Sequence, residues 1–297
     1  MEFASDQQKL HRKSHTNNGW CIEYALIPVS GSNDSVSQTP RTVFAFHGFA
    51  RPLEDLSVLA DHWPRKSTVI SVHLPHHGVS RPTDSKLPAD APLHPATLNQ
   101  LLIEIATKEG LAAQNYDLVG YSIGGRIALA LFSESPDMWS RITLLAPDGL
   151  KKSPFYHFTV HSKLGKLIWF RIDRHADLVI RCSDFLLKRR IISPHLHSFC
   201  AFHISNHSMR MMVWHGWRAH RLCWPTHQKI ERTLHSWQGR MDLAFGAHDQ
   251  IIPAANGQKL KNLTKGDANV HFHLLPTGHG MLKPAMVQKL IHRIFQP

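Results

Sequence analysis

The chain has 297 residues, 42% of them hydrophobic and 19% charged, and its 34 Lys and Arg against 22 Asp and Glu give a formal net charge of +12. That balance excludes collagen-like, coiled-coil and disordered classes and leaves a globular protein with enough apolar mass for a large core. The longest unbroken apolar runs, such as 127–132, fall far short of the roughly 18 residues a membrane-spanning helix needs.

The N-terminal stretch MEFASDQQKLHRKSHTNNGW lacks the apolar segment of a secretory signal, which predicts a cytoplasmic location. Early strands are expected around 20–29, followed by a polar turn over 29–40 (VSGSNDSVSQTP). Residues 42–46 (TVFAF) read as a strand, 53–63 as a helix, 68–72 (TVISV) as a strand and 95–109 as a helix with apolar positions 98, 101, 102, 105 and 106. Residues 117–120 (DLVG) form the next strand, 124–133 a helix, and 142–145 (ITLL) a strand ending in Ala146-Pro147-Asp148-Gly149. Beyond 240 come strands 241–245 and 270–275, a helix around 254–263, and a final helix over 284–295. Short β-rich runs alternating with helical periods predict an α/β protein with a mostly parallel central sheet and helices on both faces.

Between 151 and 240 the composition changes. That block holds 16 basic and 4 acidic residues, so the remaining 18 and 18 leave the rest of the chain neutral. It also carries 11 of the 24 histidines and 5 of the 8 tryptophans, which marks it as an inserted unit.

Gly120-Tyr121-Ser122-Ile123-Gly124 fits G-x-S-x-G and sits directly between a buried strand and a helix. Glycines there permit a sharp strand-to-helix turn that presents the Ser122 hydroxyl at the carboxyl edge of the sheet. A serine needs a base to become nucleophilic, and the base needs an orienting acid. Asp249 follows one predicted strand and His279 follows the last. Asp148 also follows a strand and is a second candidate for the acid. His248 and His271 read as ordinary polar residues.

Taken together these motifs resemble the α/β-hydrolase fold superfamily, across roughly residues 41–150 and 240–297. His47-Gly48-Phe49 resembles the family's oxyanion loop. Leu74-Pro75-His76-His77-Gly78-Val79-Ser80 resembles its D-x-P-G-H-G-x-S turn, with His73 where Asp is usual and His76 where Gly is usual. The resemblance implies a Ser122, His279 and Asp249 triad, an oxyanion hole from the backbone N–H groups of Phe49 and Ile123, and a buried structural His47. It further implies hydrolysis of a carboxylic ester or thioester through an acyl-enzyme, without metal or cofactor. Two alternatives stand beside it: a C–C hydrolase or lyase of the same fold, and a non-catalytic ligand-binding protein. Dehalogenases and epoxide hydrolases of this fold resemble the same scaffold but carry Asp at the nucleophile position.

The resemblance divides the chain into a first core part (1–149), a helical cap (150–238) and a second core part (239–297). Aromatic cap residues such as Tyr156, Trp169, Phe170, Phe185 and Trp214 either line an acyl pocket or pack the cap on the core. Basic residues including Lys188, Arg189, Arg190, Arg210, Arg218, Arg221 and Arg232 suit an anionic small-molecule acyl substrate, an anionic membrane surface or a solvated face. No nucleic-acid module is recognisable, and the residues do not give the oligomeric state. His195, His197, Cys200, His203 and His207 lie close together, but their spacing matches no standard zinc site and no metal is expected. Cys21, Cys182, Cys200 and Cys223 form no CxxC pair and read as reduced, mostly buried thiols.

Overall fold

The computed structural model describes residues 10–29, 41–60, 62–63, 67–204 and 206–295. Among these, nine strands form one sheet: β1 (Arg12–Asn17), β2 (Trp20–Val29), β3 (Arg41–Phe46), β4 (Ser67–Val72), β5 (Arg81–Pro82), β6 (Tyr116–Tyr121), β7 (Trp139–Leu145), β8 (Arg240–Gly246) and β9 (Val270–Leu275). The order is β1-β2-β4-β3-β6-β7-β8-β9, with β5 paired to β2. From β4 to β9 every adjacent pair is parallel, while β2 runs antiparallel to β1 and β4.

Side chains explain this order. Every residue of β6 is buried, and β3, β4 and β8 are buried at all but one position, as strands covered on both faces must be. The outer strands β1 (RKSHTN) and β9 (VHFHLL) are polar and largely half-exposed or exposed, which suits an edge. On one face the sheet packs against α2 (Pro95–Lys108), α3 (Ile123–Glu134), α9 (His227–Ser236) and α10 (Gln258–Leu263). On the other it packs against α1 (Ser57–Ala60) and α11 (Pro284–Phe295). Alternation along β3 feeds both cores, Phe44 and Phe46 into the first and Val43 and Ala45 into the second. Helix α2 buries the five apolar positions that its period predicts.

Several expectations change. Strand β1 is too polar to announce itself. The helix expected over 53–63 is a 3₁₀ turn, Leu53–Leu56, followed by the four-residue α1, and that over 254–263 is a 3₁₀ turn, Ala254–Gly257, followed by α10. Residues 1–9 and the polar stretch 30–40 lie outside the described residues. Of the described cysteines, all free thiols, only Cys223 is buried. Cys21 is half-buried and Cys182 is exposed on a helix surface, so the expectation of mostly buried thiols fails.

Between β7 and β8 the chain forms α4 (Pro154–His161), α5 (Lys163–Arg174), α6 (Ala176–Lys188), α7 (Pro194–Ile204) and α8 (His207–Ala219), then α9. The end of α8 is tied to the core loop before α2: Leu93 N–H donates to the Ala219 carbonyl at 3.0 Å, and Arg218 Nε pairs with Asp90 Oδ2 at 2.9 Å. Trp169, Val213 and Trp214 bury themselves against one another and against Phe49. Phe155, Phe158, Phe170 and Phe185 stay exposed, Phe170 with one side against Trp214 at 5.4 Å, so the aromatic residues of this segment divide between packing and exposure.

Candidate active site

The parallel strands deliver the loops after β3, β4, β6, β7, β8 and β9 to one edge of the sheet. Four non-glycine residues with left-handed backbone cluster in those loops: Ala50 (φ +54°), His76 (φ +65°), Ser122 (φ +55°) and Ala146 (φ +42°). Such conformations cost about 1–3 kcal/mol each and persist only where surrounding structure over-determines them.

Ser122 stands at the junction of β6 and α3. Its N–H donates to the Leu145 carbonyl, and its own carbonyl accepts from Gly125 N–H and Asp148 N–H, all at 2.9 Å. These bonds pin the strained turn and leave the side chain half-buried at the loop tip. Neither Gly120 nor Gly124 has a positive φ. Gly124 is there for space, because a Cβ would collide with the Phe46 carbonyl of β3, so the strain falls on the serine itself.

His279, in the loop after β9, bridges two groups. Its Nδ1 lies 2.8 Å from Asp249 Oδ2 and its Nε2 lies 3.1 Å from Ser122 Oγ. An ionised carboxylate only accepts, so Nδ1 carries the proton and Nε2 is left as the acceptor for the serine hydroxyl. Asp249 is buried, and its other oxygen accepts from Ile251 and Ile252 N–H at 2.8 and 2.9 Å. Burial pushes its carboxyl up, but the hydrogen bond and charge of His279, with the amides of Ile252 and Ile251, outweigh that and hold it below the ordinary carboxylate range. Asp148 is engaged elsewhere, accepting from Gly149 N–H at 2.7 Å and lying 3.6 Å from the fully buried Arg126. His248 is exposed.

Of the amides expected at the oxyanion position, that of Ile123 opens α3 and so has no intrahelical acceptor. Phe49 lies in the turn after β3, its ring 5.1 Å from that of His77 and 5.2 Å from that of His203 on α7. Three buried histidines hold this turn. His47 Nδ1 donates to the Gly48 carbonyl at 2.6 Å while its Nε2 accepts from Leu74 N–H at 3.2 Å. His77 Nε2 accepts from Ala50 N–H at 2.9 Å, and its Nδ1 faces the Pro75 carbonyl at 3.2 Å. His73 Nδ1 donates to Glu23 Oε2 at 2.6 Å, the same oxygen that accepts from Val79 N–H at 3.0 Å. Burial lowers the pKa of all three, His77 to about 4, and a neutral ring is what the acceptor roles of His47 and His77 Nε2 require.

Sequence reading placed Ser122, Asp249 and His279 at strand ends, and the structure brings their side chains together. It missed Tyr121, whose hydroxyl donates to the His279 carbonyl at 2.9 Å and so steadies the loop after β9, since that position is variable in G-x-S-x-G. Glu23 was also missed, because nothing in β2 signals a partner 50 residues on. Of the histidine and cysteine group around α7, the side chains of His195 and Cys200 are outside the described residues. His197 bonds Asp184, His207 bonds Asp173 and His203 stacks on Phe49. Among the described residues no three potential metal ligands converge, and no helix is long and apolar enough to cross a membrane.

No family model and no curated relative matches the sequence. Solved structures do match. A probable hydrolytic enzyme from Pseudomonas aeruginosa superimposes with a TM-score of 0.62 at 17% identity, covering 97% of this chain and 95% of its own. A thermophilic esterase from Thermogutta terrifontis gives 0.61 at 16% identity over 96% and 97%, and an epoxide hydrolase gives 0.60 at 14% over 97% and 99%. Likeness over nearly whole chains, with this strand order, makes the conclusion plain: the chain has the α/β-hydrolase fold.

Proposed function

We propose that this chain is a serine hydrolase that transfers an acyl group from a carboxylic ester or thioester to water. The reading rests on one relationship above all, the continuous path from Asp249 through His279 to Ser122 Oγ at 2.8 and 3.1 Å. Ser122 Oγ attacks the carbonyl carbon as His279 Nε2 takes its proton, and the Phe49 and Ile123 amides donate to the oxygen that becomes negative. His279 then protonates the leaving group, which departs and leaves an acyl-serine. Water enters, gives its proton to Nε2 and attacks the acyl carbon, after which the proton returns to Ser122. Asp249 keeps its charge throughout and stabilises the imidazolium. The chemistry calls for no metal or cofactor.

Helices α4 to α8 act in this reading as a cap over the serine and choose the acyl group, while α9, packed on the sheet, belongs with the core. A serine nucleophile favours esters over epoxides, whose hydrolases on this fold resemble the scaffold with Asp at that position. The test is a series of nitrophenyl esters of rising chain length with wild type and Ser122→Ala. Turnover by wild type that the variant loses by about 10⁴-fold or more supports the reading. Equal turnover by both removes it.

A further inference from the structure

Among the described residues, ten of the fourteen exposed large apolar side chains fall between Phe155 and Phe202, although single exposed apolar residues elsewhere are ordinary. On α5 the buried residues are Gly165 and Trp169, while Leu164 and Leu167 are 57% and 63% exposed with Ile168 beside them. On α6 only Ala176 is buried, and Leu178, Cys182 and Phe185 follow one another along an exposed face at helical spacing. Leu178 and Phe185 are 61% and 54% exposed. A concentration of this kind in consecutive helices marks a surface that meets something apolar.

Its charge says what. From 163 to 191 the chain has eight Lys and Arg against three Asp. Two of those acids turn toward α7 and α8 instead: Asp173 accepts from Arg210 at 2.6 Å and His207 at 3.0 Å, and Asp184 accepts from His197 at 2.8 Å. Arg171 and Arg174 share the exposed face of α5 with Leu164 and Leu167, Lys163 and Lys166 are exposed on the same helix, and Lys188 and Arg189 close α6. Arg189 already lies over the Phe185 ring at 5.0 Å. Two copies of the chain meeting on this face would set its cations against one another, so a second copy is a poor occupant. A surface that is apolar beneath and negative on top suits it: leucine and phenylalanine enter the acyl boundary while the long basic side chains reach back to the headgroups.

We propose that the outward faces of α5 and α6 dock this protein on an anionic lipid bilayer, lying in the interface without crossing it. The proposal does not depend on the reaction at Ser122. The full chain is mixed with phosphatidylcholine vesicles, with and without phosphatidylglycerol, and the bound fraction is read by flotation. Binding at least about tenfold tighter with phosphatidylglycerol, weakened by salt, is the expected result. Leu167→Glu/Phe185→Glu is expected to lower binding about tenfold or more with unchanged thermal unfolding, since both side chains are exposed. Lys166→Gln/Arg171→Gln/Lys188→Gln is expected to abolish the phosphatidylglycerol preference, and Ser122→Ala to bind as wild type. Failure to bind either vesicle, or undiminished binding by the Glu pair, overturns the proposal. A concentration-dependent dimer in sedimentation velocity that the Glu pair abolishes, without vesicle binding, overturns it in favour of a second copy.

Discussion

Glu23 of β2 and His73, at the end of β4, form a buried pair with Nδ1 2.6 Å from Oε2, and this pair stands where the resembling turn carries a single Asp. The carboxylate here comes from the neighbouring strand β2, and it accepts from Val79 N–H. Gly78 (φ +53°) must lack a Cβ because one there would overlap both Glu23 Oε2 and His73 Nδ1. Replacing His73→Asp alone sets two carboxylates together in a buried site and is expected to destabilise by about 2–4 kcal/mol. His73→Asp/Glu23→Gln restores one carboxylate and is expected to recover at least about half of that loss. Urea unfolding of the four proteins of the cycle checks the coupling, which simple additivity would contradict.

Buried neutral histidines make stability depend on pH. His77, pushed down to about 4 by burial, stays neutral in the fold while an unfolded chain takes up its proton near 6.5. A lowered base contributes stability that is complete above its unfolded pKa and is lost as pH falls toward the folded one. Unfolding free energy is therefore expected to fall between about pH 7 and pH 4, with His77 alone accounting for of order 3 kcal/mol. His77→Gln is expected to flatten the slope by about one proton. A wild-type profile that rises on acidification contradicts this account of the turn.

At the elbow, Gly124→Ala drives a methyl group into the Phe46 carbonyl. Backbone of β3 cannot yield without disturbing the central sheet, so a loss of about 2–4 kcal/mol is expected in thermal or urea unfolding. A loss under about 0.5 kcal/mol would show that the elbow has slack.

The two candidate acids separate kinetically. Asp249→Asn is expected to lower kcat about 10³–10⁴-fold with little change in KM, because the His279 tautomer and the imidazolium lose their partner. Asp148→Asn removes a partner of Arg126 and is expected to reduce stability more than kcat. The reverse ranking would assign the acid to Asp148.

What could be read from residues alone follows physical lines. A central strand such as β3 was legible because a strand buried on both faces is a continuous apolar run, and α2 because the apolar positions 98, 101, 102, 105 and 106 keep a helical period. The order Ser122, Asp249, His279 was legible because each residue follows a strand, with Ser122 two residues from both Gly120 and Gly124 and His279 between Gly278 and Gly280. β1 was not, since an edge strand with sequence RKSHTN has no apolar alternation. Glu23, Tyr121 and the hydrogen-bonding roles of His47 and His77 depend on contacts between distant segments. The reason for Gly124 likewise lies in β3 and not in its own turn.

Activation of Ser122 is measured most directly by the intact mass of wild type and Ser122→Ala after exposure to a fluorophosphonate, which needs no knowledge of the substrate. One adduct per wild-type chain, none on Ser122→Ala and strongly slowed labelling of Asp249→Asn are predicted. No adduct on folded wild type, or an equal adduct on Ser122→Ala, would contradict the claim that His279 and Asp249 make Ser122 a nucleophile.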